Sequence, residues 1–100
     1  MKTGVELIAE ERQRQIAVEG WTPEHDNEHD MGEMIGAAIT YSAHALGIVS
    51  EEEIPNADTD GYWPWEDRWW KPSPDPIRNL VKAGALIAAE IDRLQRGTRP

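Results

Sequence analysis

Residues 75–97 are written as one long helix. Asp75 supplies an N-cap, Pro76 takes the first helical position, where a missing N–H costs nothing, and Gly97 follows the last turn. Ile77, Leu80, Val81, Gly84, Ile87, Ala88, Ile91 and Leu94 recur at helical spacing, while Leu86 and Ala89 fall on nearly the opposite side. A helix apolar on two sides is usually buried on two sides. A chain of 100 residues has too little other surface to cover both, so a homo-oligomer is expected.

Two more helices follow from local signals. Thr3 and Glu6 match a capping box ahead of a helix near 4–19, whose Val5, Ile8, Ala9, Arg12 and Ile16 share one face that Arg12 interrupts. Gly20 ends it, and Trp21, Thr22 and Pro23 begin a loop. The second helix spans about 30–46, with Asp30 as N-cap and Glu33 at the third position. Met31, Met34, Ile35, Ala38, Ile39, Ser42, Ala45 and Leu46 form its apolar stripe, and Gly47 closes it. Gly32, Gly36, Ala37 and Ala43 keep parts of its surface small. No strand-like alternation occurs. The expectation is a single all-α domain over 1–100, an antiparallel bundle of three main helices near 4–19, 30–46 and 75–96.

Helices two and three are joined by a flap over about 48–74, in which Ser50 and Glu53 suggest one short turn stopped by Pro55. Of five tryptophans, four (Trp63, Trp65, Trp69 and Trp70) fall in this flap, and the chain has no Phe. Disordered segments are aromatic-poor, so an ordered flap is expected. Its indoles serve either to cover a small core or to stack on a ligand.

Ten Lys+Arg against nineteen Asp+Glu leave a net charge of −9. So acidic a chain disfavours duplex nucleic acid and anionic lipid, whose binding draws on Lys and Arg. There is no cysteine, which excludes disulfides and thiolate-held metals. No stretch approaches the roughly 20 apolar residues of a membrane span, and the N-terminus does not read as a signal peptide. A soluble, cytoplasmic protein is expected.

Residues 24–30 place six ionisable groups in seven positions. His25 and His29, four apart, share one face of a helix, as metal ligands require. The neighbouring carboxylates suit Mg²⁺ or Mn²⁺, or else simply form a solvated acidic turn at the start of the second helix. On helix two, His29, Asp30, Glu33, Ala37, Thr40 and His44 lie on the polar side; on helix three, Arg78, Asn79, Lys82 and Arg93 do the same.

The run Glu10-Glu11-Arg12-Gln13-Arg14-Gln15, then Glu19-Gly20-Trp21, the His/Asp-rich turn and Gly32-Glu33 resemble the start of small phage and prophage MazG-like proteins. Residues 79–94 resemble their last helix. These proteins belong to the all-α nucleoside triphosphate pyrophosphohydrolase superfamily, in which Glu-Glu-x-x-Glu and Glu-x-x-Asp motifs hold Mg²⁺ on the triphosphate. Here the first motif becomes His29-Asp30-x-x-Glu33 and the second Asn79-x-x-Lys82. A lysine there repels Mg²⁺ and suits phosphate. The metal site implied by the resemblance is therefore degenerate.

Three functions follow as expectations. The first is a phage-encoded, non-catalytic nucleotide binder, a sponge acting in the host cytoplasm on a nucleotide immune signal such as a cyclic oligonucleotide. Its ligand-binding set would be Lys82, Asn79, Arg12, Lys71 and Arg78 with Trp63, Trp65, Trp69 and Trp70. The second is a Mg²⁺-dependent pyrophosphohydrolase with Asp30, Glu33 and His29 at the metal, helped by acids from Glu10, Glu11 or Asp26. The third is an acidic inhibitor that binds a host nucleic-acid-binding enzyme.

Overall fold

The computed structural model describes residues 1–29, 32–47 and 63–97. The chain is all-α, and its described residues hold α1 (Gly4–Ala17), α2 (Pro23–Asp26), α3 (Glu33–Leu46), a 3-10 turn (Asp67–Trp69) and α4 (Pro76–Gly97). α4 packs mainly on α3 and also on α1 and α2. Among the described residues no helix is long and apolar enough to cross a membrane.

The Thr3–Glu6 capping box forms as expected: the Thr3 hydroxyl accepts from the Glu6 N–H at 3.2 Å, and the Glu6 carboxylate accepts from the Thr3 N–H at 3.0 Å. Those bonds hold the Glu6 carboxyl below its ordinary pKa. α1 ends at Ala17, two residues short of the expected 19. Its buried face also differs from the apolar one expected. Glu11, Arg12 and Gln15 are buried, whereas Val5 is exposed. The helix turns its polar side inward because Arg12 finds Asp26 and Glu11 finds Arg78 on other elements, and Ile8 makes a tight apolar contact with α4. A Cβ built on Gly84 of α4 would lie 2.5 Å from the Ile8 Cδ1, so glycine is what lets α1 approach there.

The loop expected after Gly20 contains one helical turn, α2. Thr22 caps it by accepting from the His25 N–H at 3.3 Å, and Pro23 holds its first position. Arg12 fastens α2 to α1, donating to the Trp21 carbonyl at 3.1 Å and pairing with the buried Asp26. Arg96 of α4 reaches α2 from the other side, donating to the Pro23 carbonyl and to the Asn27 side chain at 2.8 Å.

α3 begins at Glu33, preceded by Gly32 at φ +81. Glu33 is thus the first helical residue and not the third; Asp30 and Met31, the expected cap and first stripe residue, lie outside the described residues. Gly47, at φ +89, ends the helix as expected. The buried arc of α3 is Met34, Ala37, Ala38, Thr40 and Tyr41. Ala37 and Thr40, expected on the polar side, face inward because the tryptophans and α4 pack there, and the Thr40 hydroxyl is satisfied by donating to the Gly36 carbonyl at 2.8 Å. Ile39 and Leu46, expected in the stripe, are exposed.

Of the flap, residues 63–74 are described; the turn expected at Ser50–Glu53 lies outside the described residues. Trp63 and Trp70 enter the core with Met34, Ala37, Ala38, Tyr41, Ala83, Leu86 and Ala89. α4 starts on Asp75, whose carboxylate accepts from the Ile77 N–H at 3.0 Å. The Leu86–Ala89 side meets the core, while Ile77, Leu80, Ile87, Ile91 and Leu94 remain exposed.

Candidate functional site

The inward polar side of α1, the tryptophan segment and α4 enclose a cavity of about 710 Å³. Glu11, Arg12, Arg14 and Gln15 form one side; Trp21, Trp63, Trp65 and Trp69 supply indole walls; Lys71 and Lys82 bring ammonium groups. The aromatic wall is braced ring against ring. Trp63 meets Trp65 edge-on at 5.4 Å between centroids and Trp70 at 5.1 Å, Trp70 packs on Tyr41 at 4.9 Å, and Trp65 contacts Trp21 and His29. Trp63 is further fixed by donating its indole N–H to the Glu66 carbonyl at 3.2 Å.

Charge pairing decides which lining groups remain available. Arg12 is matched by Asp26. The Glu11 Oε1 accepts from Arg14 at 2.8 Å and from Arg78 at 2.7 Å; its Oε2 accepts from Arg14 at 2.9 Å and from Gln15 at 3.3 Å. A carboxylate has about four lone-pair sites, so Glu11 is fully used. Burial opposes its ionisation, but the bonds from Arg14 and Arg78 prevail and its pKa lies below the ordinary value. Arg14 pairs with Glu19 as well, at 3.0 Å.

Lys82 and Lys71 are what pairing leaves over. The Lys82 ammonium donates to the Lys71 carbonyl at 2.9 Å and sits 5.4 Å over the Tyr41 ring, and Lys71 lies 5.7 Å over Trp69. Neither meets a carboxylate among the described residues. Burial pushes the Lys82 pKa below its ordinary value, helped by the positive charges of Arg78 and Arg14 and resisted by Glu11 and Glu19.

The expected ligand set is partly brought together. Lys82, Lys71, Trp63, Trp65, Trp69 and Arg12 line the cavity; Asn79, Trp70 and Arg78 do not. Asn79 is a structural residue: its side chain accepts from the Ser73 N–H at 2.8 Å, donates to the Ser73 carbonyl at 2.7 Å and contacts His44 Nδ1 at 2.9 Å, tying the flap to α3 and α4. Trp70 is core. Arg78 acts on the site through Glu11.

Of the expected metal set, His29 Nδ1 lies 3.4 Å from Glu33 Oε2, and Asp30 lies outside the described residues. Among the described residues no three His, Asp or Glu side chains converge as a metal would need. Asp26 and Glu11 are taken by arginines.

Sequence reasoning missed Gln15, Trp21 and Tyr41 as lining residues. Gln15 is recognisable in retrospect, since it stands three and four residues after Arg12 and Glu11 on one polar face. Nothing local marks Trp21, which reaches the cavity through the chain reversal at Gly20, at φ +76. Three buried polar atoms have no hydrogen-bond partner among the described residues: Gln15 Oε1, His25 Nδ1 and Trp70 Nε1. The first two belong to lining residues.

Fold and site together define an all-α protein with an indole-walled, lysine-bearing cavity. Compared with known proteins, the chain matches no family model, no curated protein and no solved structure.

Proposed function

We propose that the cavity binds a nucleotide without turning it over, the base lying against the indoles and the phosphate on Lys71 and Lys82. One observation carries the reading: in a chain of net charge −9, two of the three cations left without a carboxylate among the described residues, Lys71 and Lys82, stand at one tryptophan-walled cavity, while the third, Arg96, is spent on Pro23 and Asn27. Base–indole stacking contributes roughly 1–3 kcal/mol per base, and an ammonium–phosphate hydrogen bond about 1.5–3 kcal/mol. Both terms are sequence-tolerant, as suits a sponge. Following the MazG-like resemblance of phage proteins, the ligand is a host nucleotide signal such as a cyclic oligonucleotide, which the protein sequesters.

The same reading includes an antiparallel bundle that assembles through α3 and α4. Ile35, Ala38, Ile39, Ser42, Ala43, Leu46 and Ile87 line a groove of about 440 Å³, and Leu80, Ile87, Ile91 and Leu94 form an apolar ridge beside it. In a twofold contact between copies, the ridge of each would seat in the groove of the other.

Thermal shift with mono-, tri- and cyclic oligonucleotides, with and without Mg²⁺, tests the function. Saturation at a hundredfold excess over Kd adds about 2.7 kcal/mol to stability, and the nucleotide is recovered intact. Hydrolysis that depends on Mg²⁺ would replace the binder with the pyrophosphohydrolase. No shift with any nucleotide would leave the acidic protein-partner reading.

A further inference from the structure

The Gln15 side chain is almost completely buried on the α1 side of the cavity, yet its amide is only half used. Its nitrogen donates to Glu11 Oε2 at 3.3 Å. An ionised carboxylate accepts and never donates, so the amide nitrogen must face Glu11 and the oxygen must face away from it. Glu11 itself is held in place and held ionised by Arg14 and Arg78. Which of the two amide atoms faces Glu11 is thereby fixed from two helices. Gln15 Oε1 has no donor among the described residues and is shielded from water. A buried acceptor left without a donor opposes folding, and a ligand N–H would remove that penalty. The terminal torsion of glutamine is broad, so a small turn offers the oxygen to an incoming group while the nitrogen keeps Glu11.

We infer that Gln15 is a specificity-determining residue whose orphan carbonyl accepts a hydrogen bond from an exocyclic amino group on the base, so that the site selects amino-bearing nucleotides over their carbonyl counterparts. This rests on the nucleotide reading above and adds the chemistry of the base to it. The neighbourhood of Gln15 sets the preference. Beside its amide lies the Glu11 carboxylate, with all four acceptor positions occupied. An amino group brings donors only. The ring N–H of uracil is flanked by a carbonyl oxygen on each side, so one is driven toward that carboxylate, acceptor against acceptor, and hypoxanthine meets the same clash when its carbonyl faces Glu11. The amino group of cytosine, with C5–H beside it, or of guanine, with N1–H beside it, satisfies the oxygen without turning an acceptor toward the carboxylate.

Calorimetric titration of AMP and GMP against IMP, and of CMP against UMP, tests the inference on the full chain. Each comparison changes an amino group into a carbonyl or removes it, at constant phosphate. At least one amino-bearing nucleotide should bind about tenfold or more tightly than its counterpart. In Gln15→Met, which keeps the length and loses the acceptor, the preference should collapse as the two affinities converge. Equal or tighter binding of IMP and UMP by the wild type overturns the inference, and so does a preference that survives in Gln15→Met. Should that variant not fold, the wild-type comparison alone decides. Binding of cyclic di-AMP with no binding of any monophosphate overturns the Gln15 assignment and leaves the nucleotide reading standing. Binding of none of these ligands overturns both.

Discussion

Arg78 of α4 closes onto the Glu11 carboxylate of α1 at 2.7 Å, and that contact completes the four bonds that exhaust Glu11. Lys82, one helical turn beyond Arg78, lines the cavity with the Lys71 carbonyl as its acceptor among the described residues. Arg78 therefore shapes the site without touching its interior: it removes an acid from the cavity and frees an ammonium.

Glu11→Gln should destabilise the fold by about 1–3 kcal/mol, less than the loss of a fully buried pair because both arginines are roughly one-third exposed. The pH dependence has a defined sign. The folded-state pKa of Glu11 lies below the ordinary 4.5, so its stabilisation is complete above that value and fades as pH falls through the folded pKa. Urea melts from neutral to acid pH should show this loss in the wild type and a flatter acid limb in Glu11→Gln.

Lys82→Met should separate stability from binding. Burial and the positive charges of Arg78 and Arg14 disfavour the ammonium in the folded state, so removing it leaves stability unchanged or slightly higher. Nucleotide affinity should fall about ten- to a hundredfold, as expected for losing a charge-assisted bond to phosphate. In the wild type, affinity should decline with rising pH below the 10.5 of an ordinary lysine. Calorimetry across alkaline pH, paired with thermal melts, checks all three outcomes.

Trp63 and Trp69 line one cavity in different ways. Trp63 is 3% exposed and belongs to the core, so Trp63→Ala should cost about 3–5 kcal/mol of stability. Trp69 is 47% exposed, between Arg68 and Lys71, and Trp69→Ala should cost less than about 1 kcal/mol. Its nucleotide affinity should drop about tenfold through lost stacking. Unchanged affinity per folded molecule in Trp69→Ala would remove that indole from the binding surface.

Gly84 marks where α4 admits α1. Gly84→Leu should cost about 1–3 kcal/mol by overpacking, because even a Cβ there meets Ile8 Cδ1 at 2.5 Å and Cγ1 at 2.8 Å. Adding Ile8→Ala to Gly84→Leu should recover part of that loss. Chemical denaturation of the two single variants and the double variant measures the coupling.

Light scattering of the wild type should give a mass at least twice the 11.3 kDa of one chain. Ile87→Glu sets a charge at the junction of the apolar ridge and the α3–α4 groove and should return the protein to a monomer. A wild type that stays at the mass of one chain at micromolar concentration would exclude assembly through this face.

Helix ends were legible because their causes are local. Thr3 with Glu6, Asp75 with Pro76, and Gly47 each act over one turn, and the capping bonds formed by the first two pairs span no more than three residues. The crowding of four indoles into one segment was also legible, and three of them, Trp63, Trp65 and Trp69, line the cavity, whereas Lys82 drew notice only through the resemblance of Asn79-x-x-Lys82 to a known motif. What only the tertiary structure decided is which side of each helix faces inward. A helical wheel ranks faces by hydropathy alone. It set Val5 inward along with Arg12, and Ala37 and Thr40 outward, whereas the fold exposes Val5, buries Glu11 and Gln15 beside Arg12 on α1, and buries Ala37 and Thr40 on α3. The reason is that a polar side chain's preference depends on partners remote in the chain. Arg12 finds Asp26 fourteen residues away, Asn79 finds His44 thirty-five residues away, and Glu11 finds Arg78 on another helix. Once those groups are paired, burying them no longer carries the full desolvation penalty that keeps charges in water, and an inward polar face becomes the lining of a cavity.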